Sequence, residues 1–143
     1  MIKDLRLLKK AALISLALFF LLAGANHFLN PEIYLGMMPP WLPWPDTLHK
    51  IAGGAEILGG LGLLIRPVRP YAAWGLVLLL VAVFPANIHA ALRGEIPGLP
   101  VSPFVLWARL PFQAVFLFWT WWVGVSSWGG DLNTKRVPYK TQW

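Results

Sequence analysis

The chain has 143 residues, of which 57% are hydrophobic and only 13% charged, against roughly a quarter charged in an ordinary soluble domain. A water-soluble fold of this length has too little interior to hide nine Trp and eight Phe, so an ordinary cytosolic enzyme and a disordered chain are both excluded. The formal charge of +6 arises from twelve Lys and Arg against six acids. These basic residues cluster beside apolar segments instead of forming a stripe, which excludes a nucleic-acid reader.

There is no cysteine. A disulfide framework, a thiolate metal site and a cysteine nucleophile are therefore excluded, and a redox role would need a bound cofactor or a partner subunit.

Taken in chain order, the 21 residues from Ala11 to Pro31 carry no formal charge. About 20 helical residues cover the ~30 Å of a bilayer core, so the pattern predicts a first helix over 7–28. The small-residue run Ala23-Gly24-Ala25 behind a basic N-terminus also reads as a signal-peptide cleavage site. An uncleaved helix is the simpler reading, because further apolar spans follow. The segment 30–46 contains Pro31, Pro39, Pro40, Pro43 and Pro45 together with Tyr34, Trp41 and Trp44. Prolines argue against a regular helix and aromatics favour the headgroup level, so a semi-rigid outward loop is expected across the helix ends, as interfacial anchor or as lid.

A second helix is predicted over 47–65, with Gly53, Gly54, Gly59, Gly60 and Gly62 allowing close approach to a neighbour. The turn Arg66-Pro67-Val68-Arg69-Pro70 makes it the antiparallel neighbour of a third helix over 70–92. A fourth helix is predicted over 103–125, with Trp119, Trp121, Trp122 and Trp128 marking an interface and a polar cytoplasmic tail over 130–143. The expected architecture is all-α: one domain over 1–143, a polytopic bundle of four transmembrane helices. Lys3, Arg6, Lys9, Lys10, Arg66, Arg69, Lys135, Arg136 and Lys140 would share one side. The positive-inside rule then puts both termini in the cytoplasm, and in a bacterium the membrane would be the inner one.

The informative residues are those that should not face lipid: Asn26, His27, Glu56, Asn87, His89, Arg109 and Gln113. An ionised group in hydrocarbon costs several kcal/mol, so such residues should face the bundle interior. Alternating helix directions place all of them in the outer half. His49, Gly53, Glu56 and Gly60 share one stripe of the second helix, and Arg109, Gln113 and Phe116 one face of the fourth. A Glu56–Arg109 pair would remove two unpaired charges at once. Asn87 and His89 point to different faces, and Pro85 disturbs the helix there, leaving a free carbonyl near Val81; Asn87 is the one expected to face the pocket.

The candidate ligand-binding set is thus Asn26, His27, Glu56, Asn87, Arg109 and Gln113, with Glu56 and His27 as candidate catalytic residues. Three readings suit it. The polar set could hold the helices in register. It could bind the head of a quinone, lipid or other amphiphile whose body lies among Leu and Phe. Or Glu56 and His27 could exchange protons with such a ligand. No metal site is expected, since the His49–Gly53 stretch is not an HExxH motif and no histidine pair has ligand spacing within one helix.

The run Ala23-Gly24-Ala25-Asn26-His27-Phe28-Leu29-Asn30-Pro31, then Met38-Pro39-Pro40-Trp41-Leu42-Pro43, resembles the first helix end and loop of the DoxX-like small membrane proteins. The block from Gly53 to Leu64, and Ala72-Ala73-Trp74-Gly75 with Val83-Phe84-Pro85-Ala86-Asn87-Ile88-His89, are similar to that family's second and third helices. The resemblance implies a four-helix membrane fold and a small subunit or binding module supporting a membrane redox system, with quinone as the cofactor to test. Expected partners are membrane lipids, a redox or other membrane protein and a second copy of the chain, but no nucleic acid. An assembly or scaffold protein without a ligand, or a small-lipid-modifying enzyme, are the alternatives.

Overall fold

A computed structural model describes residues 2–126 and contains five helices among them: α1 (Ile2–Leu29), α2 (Pro31–Met37), α3 (Pro45–Leu64), α4 (Arg69–Arg93) and α5 (Pro103–Gly124). The tail over 130–143 and Trp128 lie outside the described residues. The helix α1 begins at Ile2, earlier than the apolar run alone suggests, because the basic residues before Ala11 continue the same helix.

The four-span expectation is corrected. Among the described residues three helical segments are long and apolar enough to cross a membrane: Leu5–Leu29, Arg69–Arg93 and Pro103–Gly124. The exception is α3. Its 20 residues are long enough, but Asp46, His49, Lys50, Glu56 and its glycines dilute the apolar content. The positive-inside placement of both termini in the cytoplasm also needed an even number of crossings, and it falls with the fourth span. Three apolar helices of spanning length support a multi-pass integral-membrane location.

The 30–46 segment is more ordered than its prolines suggested. Pro31 opens α2 and Pro45 opens α3, the first-turn position where proline's fixed φ suits a helix and its missing N–H costs nothing. Between them, Trp44 adopts φ 50°, a left-handed conformation rare for a bulky side chain; flanked by Pro43 and Pro45, it turns the chain sharply into α3.

Packing runs α1 on α3, α3 on α4 and α4 on α5, while α1 and α5 meet only sparsely. The long helices therefore form an open arc. Two apolar clusters sit in it. The larger contains Leu16, Ala17, Phe20, Leu63, Ala73, Leu76 and Val123. The smaller contains Met37, Ala90, Ala91, Ile96 and Leu106, where α2 and the 94–102 connection cover the ends of α4 and α5. Gly94 ends α4 in the left-handed conformation, with φ 72°, which glycine adopts without a Cβ clash.

Glycine sets the α1–α3 distance. A Cβ built on Gly53 would lie 2.6 Å from the Cβ of His27, and one built on Gly24 would lie 2.6 Å from the carbonyl oxygen of Gly53. The backbones can approach this closely only where neither residue has a side chain. Gly53 on α3 is thus what brings His27 of α1 against that helix.

Candidate functional site

The wedge left between α1 and α5 is a cavity of about 940 Å³, within the size range of small-molecule sites. Most of its wall is apolar. Phe19, Phe20 and Leu22 come from α1, Leu79 and Val83 from α4, and Phe112 and Phe116 from α5. Met38, Pro39, Trp41 and Leu42 from the connection after α2 also line it. Phe19, Leu22 and Phe112 are exposed as well as lining the cavity, so its apolar wall is continuous with the outer face of the bundle. Phe19 and Phe116 bridge the opening with stacked rings, their centroids 4.2 Å apart.

Asn26, His27, Glu56, Asn87, Arg109 and Gln113 all line this one cavity. His89 does not line it, and its Nε2 is buried without a hydrogen-bond partner. Asn87 and Gln113 tie α4 to α5: Asn87 Nδ2 donates to Gln113 Oε1 at 2.8 Å, and Gln113 Nε2 donates to the Leu80 carbonyl. That carbonyl lies one residue before Val81, whose own oxygen loses its helical donor at Pro85. Pro111 does the same to Trp107 in α5. Both α4 and α5 therefore carry an interrupted backbone ladder, and in α4 a side-chain amide from α5 binds the carbonyl next to the gap.

The Glu56–Arg109 pair expected from the sequence does not form. Glu56 Oε2 faces His27 Nε2 at 3.7 Å, longer than a hydrogen bond, and Arg109 has no hydrogen-bond or ion-pair partner among the described residues. The reason is azimuth: Glu56 turns toward α1 across the glycine seam, whereas Arg109 stands on α5 beyond the opening. Two buried atoms of the acid–base pair, Glu56 Oε2 and His27 Nδ1, lack hydrogen-bond partners.

Tyr34 is the site residue that sequence reasoning placed only in an interfacial loop. Its ring stacks on His27 with centroids 3.5 Å apart. Its hydroxyl accepts from Asn26 Nδ2 at 2.9 Å and donates to the Ala23 carbonyl at 3.4 Å. Asn26 Oδ1 in turn accepts from Asn30 Nδ2 at 2.6 Å. Burial pushes the Tyr34 hydroxyl above its usual phenol value, the Asn26 hydrogen bond offsetting part of this, while the charges of Glu56 and Arg109 act on it in opposite directions. The Tyr34 hydroxyl thus stays protonated. The signal available was the short spacing from Asn30 to Tyr34, one helical turn once Pro31 is read as a helix start. Behind His27 lies His49, buried, its ring parallel at 6.0 Å and its Nε2 3.4 Å from Asp46 Oδ1. Among the described residues no group of three His, Asp or Glu converges to hold a metal ion.

Residues 16–124 match the model of a family described as a domain of unknown function, DUF8561. The chain belongs to this family. The matched DUF8561 region contains Tyr34 and the six predicted polar residues that line the cavity, and it reaches the end of α5. No curated protein and no solved structure matches the chain. The DUF8561 description carries no tie to the DoxX-like proteins; the membrane-type helical bundle is what this chain and the resemblance have in common.

Proposed function

We propose that this chain is a membrane-embedded binding module that holds an amphiphile, a quinone or a lipid, with its head among Asn26, His27, Glu56, Asn87, Arg109 and Gln113 and its apolar part along the α1–α5 opening. The single observation that carries the reading is the cavity itself: six polar side chains from four long helices, with Tyr34 of α2 beside them, in a mostly apolar wall that runs out to the bundle surface. A concave, mostly apolar site with a few convergent polar groups is what recognition of such a molecule requires. The resemblance to DoxX-like proteins favours a small subunit of a membrane redox system, to which this chain, lacking cysteine, would contribute ligand binding and not electron transfer of its own.

A second reading rests on the facing of Glu56 and His27 at 3.7 Å in the cavity wall. In that reading they exchange a proton with the bound molecule, and the chain modifies a small lipid. Native mass spectrometry with quinone and lipid extraction, on protein purified in mild detergent, tests the main reading. A stoichiometric apolar-tailed molecule is expected in the wild type and lost from Glu56→Gln. A wild type that carries none and takes up none from added lipid or quinone overturns it in favour of a structural or assembly role. Turnover of an extracted lipid that Glu56→Gln abolishes while still binding supports the enzyme reading.

A further inference from the structure

We infer that the molecule held in the cavity carries an anionic head, a carboxylate or a phosphate, and that Arg109 is the group that selects it. The inference rests on the binding-module reading above and narrows its ligand class. Arg109 lines the cavity from α5, half-buried, and has neither a hydrogen-bond nor an ion-pair partner among the described residues. Its guanidinium offers five N–H donors in a planar fork matched to carboxylate and phosphate oxygens, and it cannot shed its charge. A cation withdrawn from water without a partner is costly, and an anion arriving at the fork offsets that cost.

The neighbouring groups sharpen the choice. Glu56, the one acid lining the cavity, turns to His27 instead. Each amide on the same wall has one N–H engaged, Asn87 Nδ2 to Gln113 and Gln113 Nε2 to the Leu80 carbonyl. Asn26 Nδ2 has one N–H on Tyr34, and the single Tyr34 hydroxyl proton goes to the Ala23 carbonyl. The amides and the His27 ring keep only single neutral donors, whereas Arg109 offers a whole charged fork with no partner among the described residues. A neutral quinone would leave that charge unmatched, whereas a fatty-acid-like carboxylate or a phospholipid phosphodiester would pair with it. Either would lay its chain along Phe19, Phe112 and Phe116 toward the exposed opening.

Binding to the full-length protein in a neutral detergent tests this with four probes: oleate, dioleoyl phosphatidylglycerol, oleyl alcohol and decylubiquinone. The wild type should bind at least one of the two anionic probes about tenfold or more tighter than the neutral ones, the scale of one charge-assisted contact. The anion preferred identifies the source, free acid or phospholipid. Arg109→Gln should bring the anionic probes down to the level of oleyl alcohol and leave oleyl alcohol unchanged. Arg109→Lys, which keeps the charge and loses the fork, should fall between them, and it carries the test if Arg109→Gln does not fold. Equal binding of anionic and neutral probes by the wild type, or an anion preference that survives Arg109→Gln, overturns the inference while the amphiphile reading stands. Failure of all four probes to bind the wild type overturns both.

Discussion

The helix α1 meets two neighbours in opposite ways. Toward α3 it presents Gly24 opposite Gly53, and the backbones come so close that a Cβ on either would lie 2.6 Å from the facing helix. Toward α5 it presents Phe19 and Leu22, and the helices part around a cavity. Without water to drive apolar surfaces together, helices in a bilayer associate where small residues permit backbone contact. Large side chains hold them apart, and the proline-interrupted stretches of α4 and α5 lie along the parted side. The seam and the opening are thus one design: the closeness of α1 to α3 fixes His27 and Glu56, and the distance of α1 from α5 leaves room for a head and a chain.

The strongest way to break this comparison is to close the seam to α3. Gly53→Ala puts a methyl 2.6 Å from the Cβ of His27, an overpacking that typically costs about 1–3 kcal/mol. Gly54→Ala is the matched control. A Cβ there meets nothing within 4 Å, so it should be neutral or stabilise by about 0.5–1 kcal/mol through helix propensity. Denaturant unfolding of both variants in one detergent checks the sign difference. If the two variants shifted alike, the approach of α1 to α3 would not depend on Gly53.

A smaller effect is expected across the opening. The Phe19–Phe116 stack, with rings inclined by 20°, joins two helices that otherwise touch little, and an aromatic pair of this kind adds about 0.5–1.5 kcal/mol beyond area burial. A double-mutant cycle with Phe19→Ala and Phe116→Ala should return a coupling in that range. Additive single losses would mean that the two rings do not hold the opening together.

Much of this arrangement could be read from residue types alone. Asn26, His27, Glu56, Asn87, Arg109 and Gln113 were expected at one depth because polar groups in apolar helices must find the interior, and antiparallel helices put those positions level. What was not legible was azimuth. Opposite charges at one depth suggested Glu56 with Arg109, but the direction of Glu56 follows from which neighbour the α3 glycines approach, and glycine patterns do not name that neighbour. The same glycines misled the span count, because they shorten the distance to α1 and α4 while adding little apolar surface. Pro31 and Pro45 were read as helix breakers when their position at the first turn makes them helix starts. That choice hid α2, and with α2 the stacking of Tyr34 on His27.

The smallest expected effect lies at the exposed start of α3, where Asp46 Oδ2 receives the Lys50 ammonium at 2.6 Å. That hydrogen bond, with help from His49, holds the Asp46 carboxyl below its ordinary value of 3.8. The first helical turn also favours a negative charge there. Because the folded value is depressed, the stabilisation is fully present above the ordinary carboxylate range and is lost as pH falls through the lowered value. Exposure screens the pair, so the change should be slight. Thermal unfolding followed from pH 7 down past 3.8 should show the wild type losing its small advantage over Asp46→Asn as the acid protonates. The buried neighbour makes the result informative beyond the surface: His49 touches both Asp46 and the His27 ring. A loss in Asp46→Asn much larger than an exposed pair can supply, and one that persisted below pH 3.8, would mean that Asp46 acts by orienting His49 against the wall of the cavity.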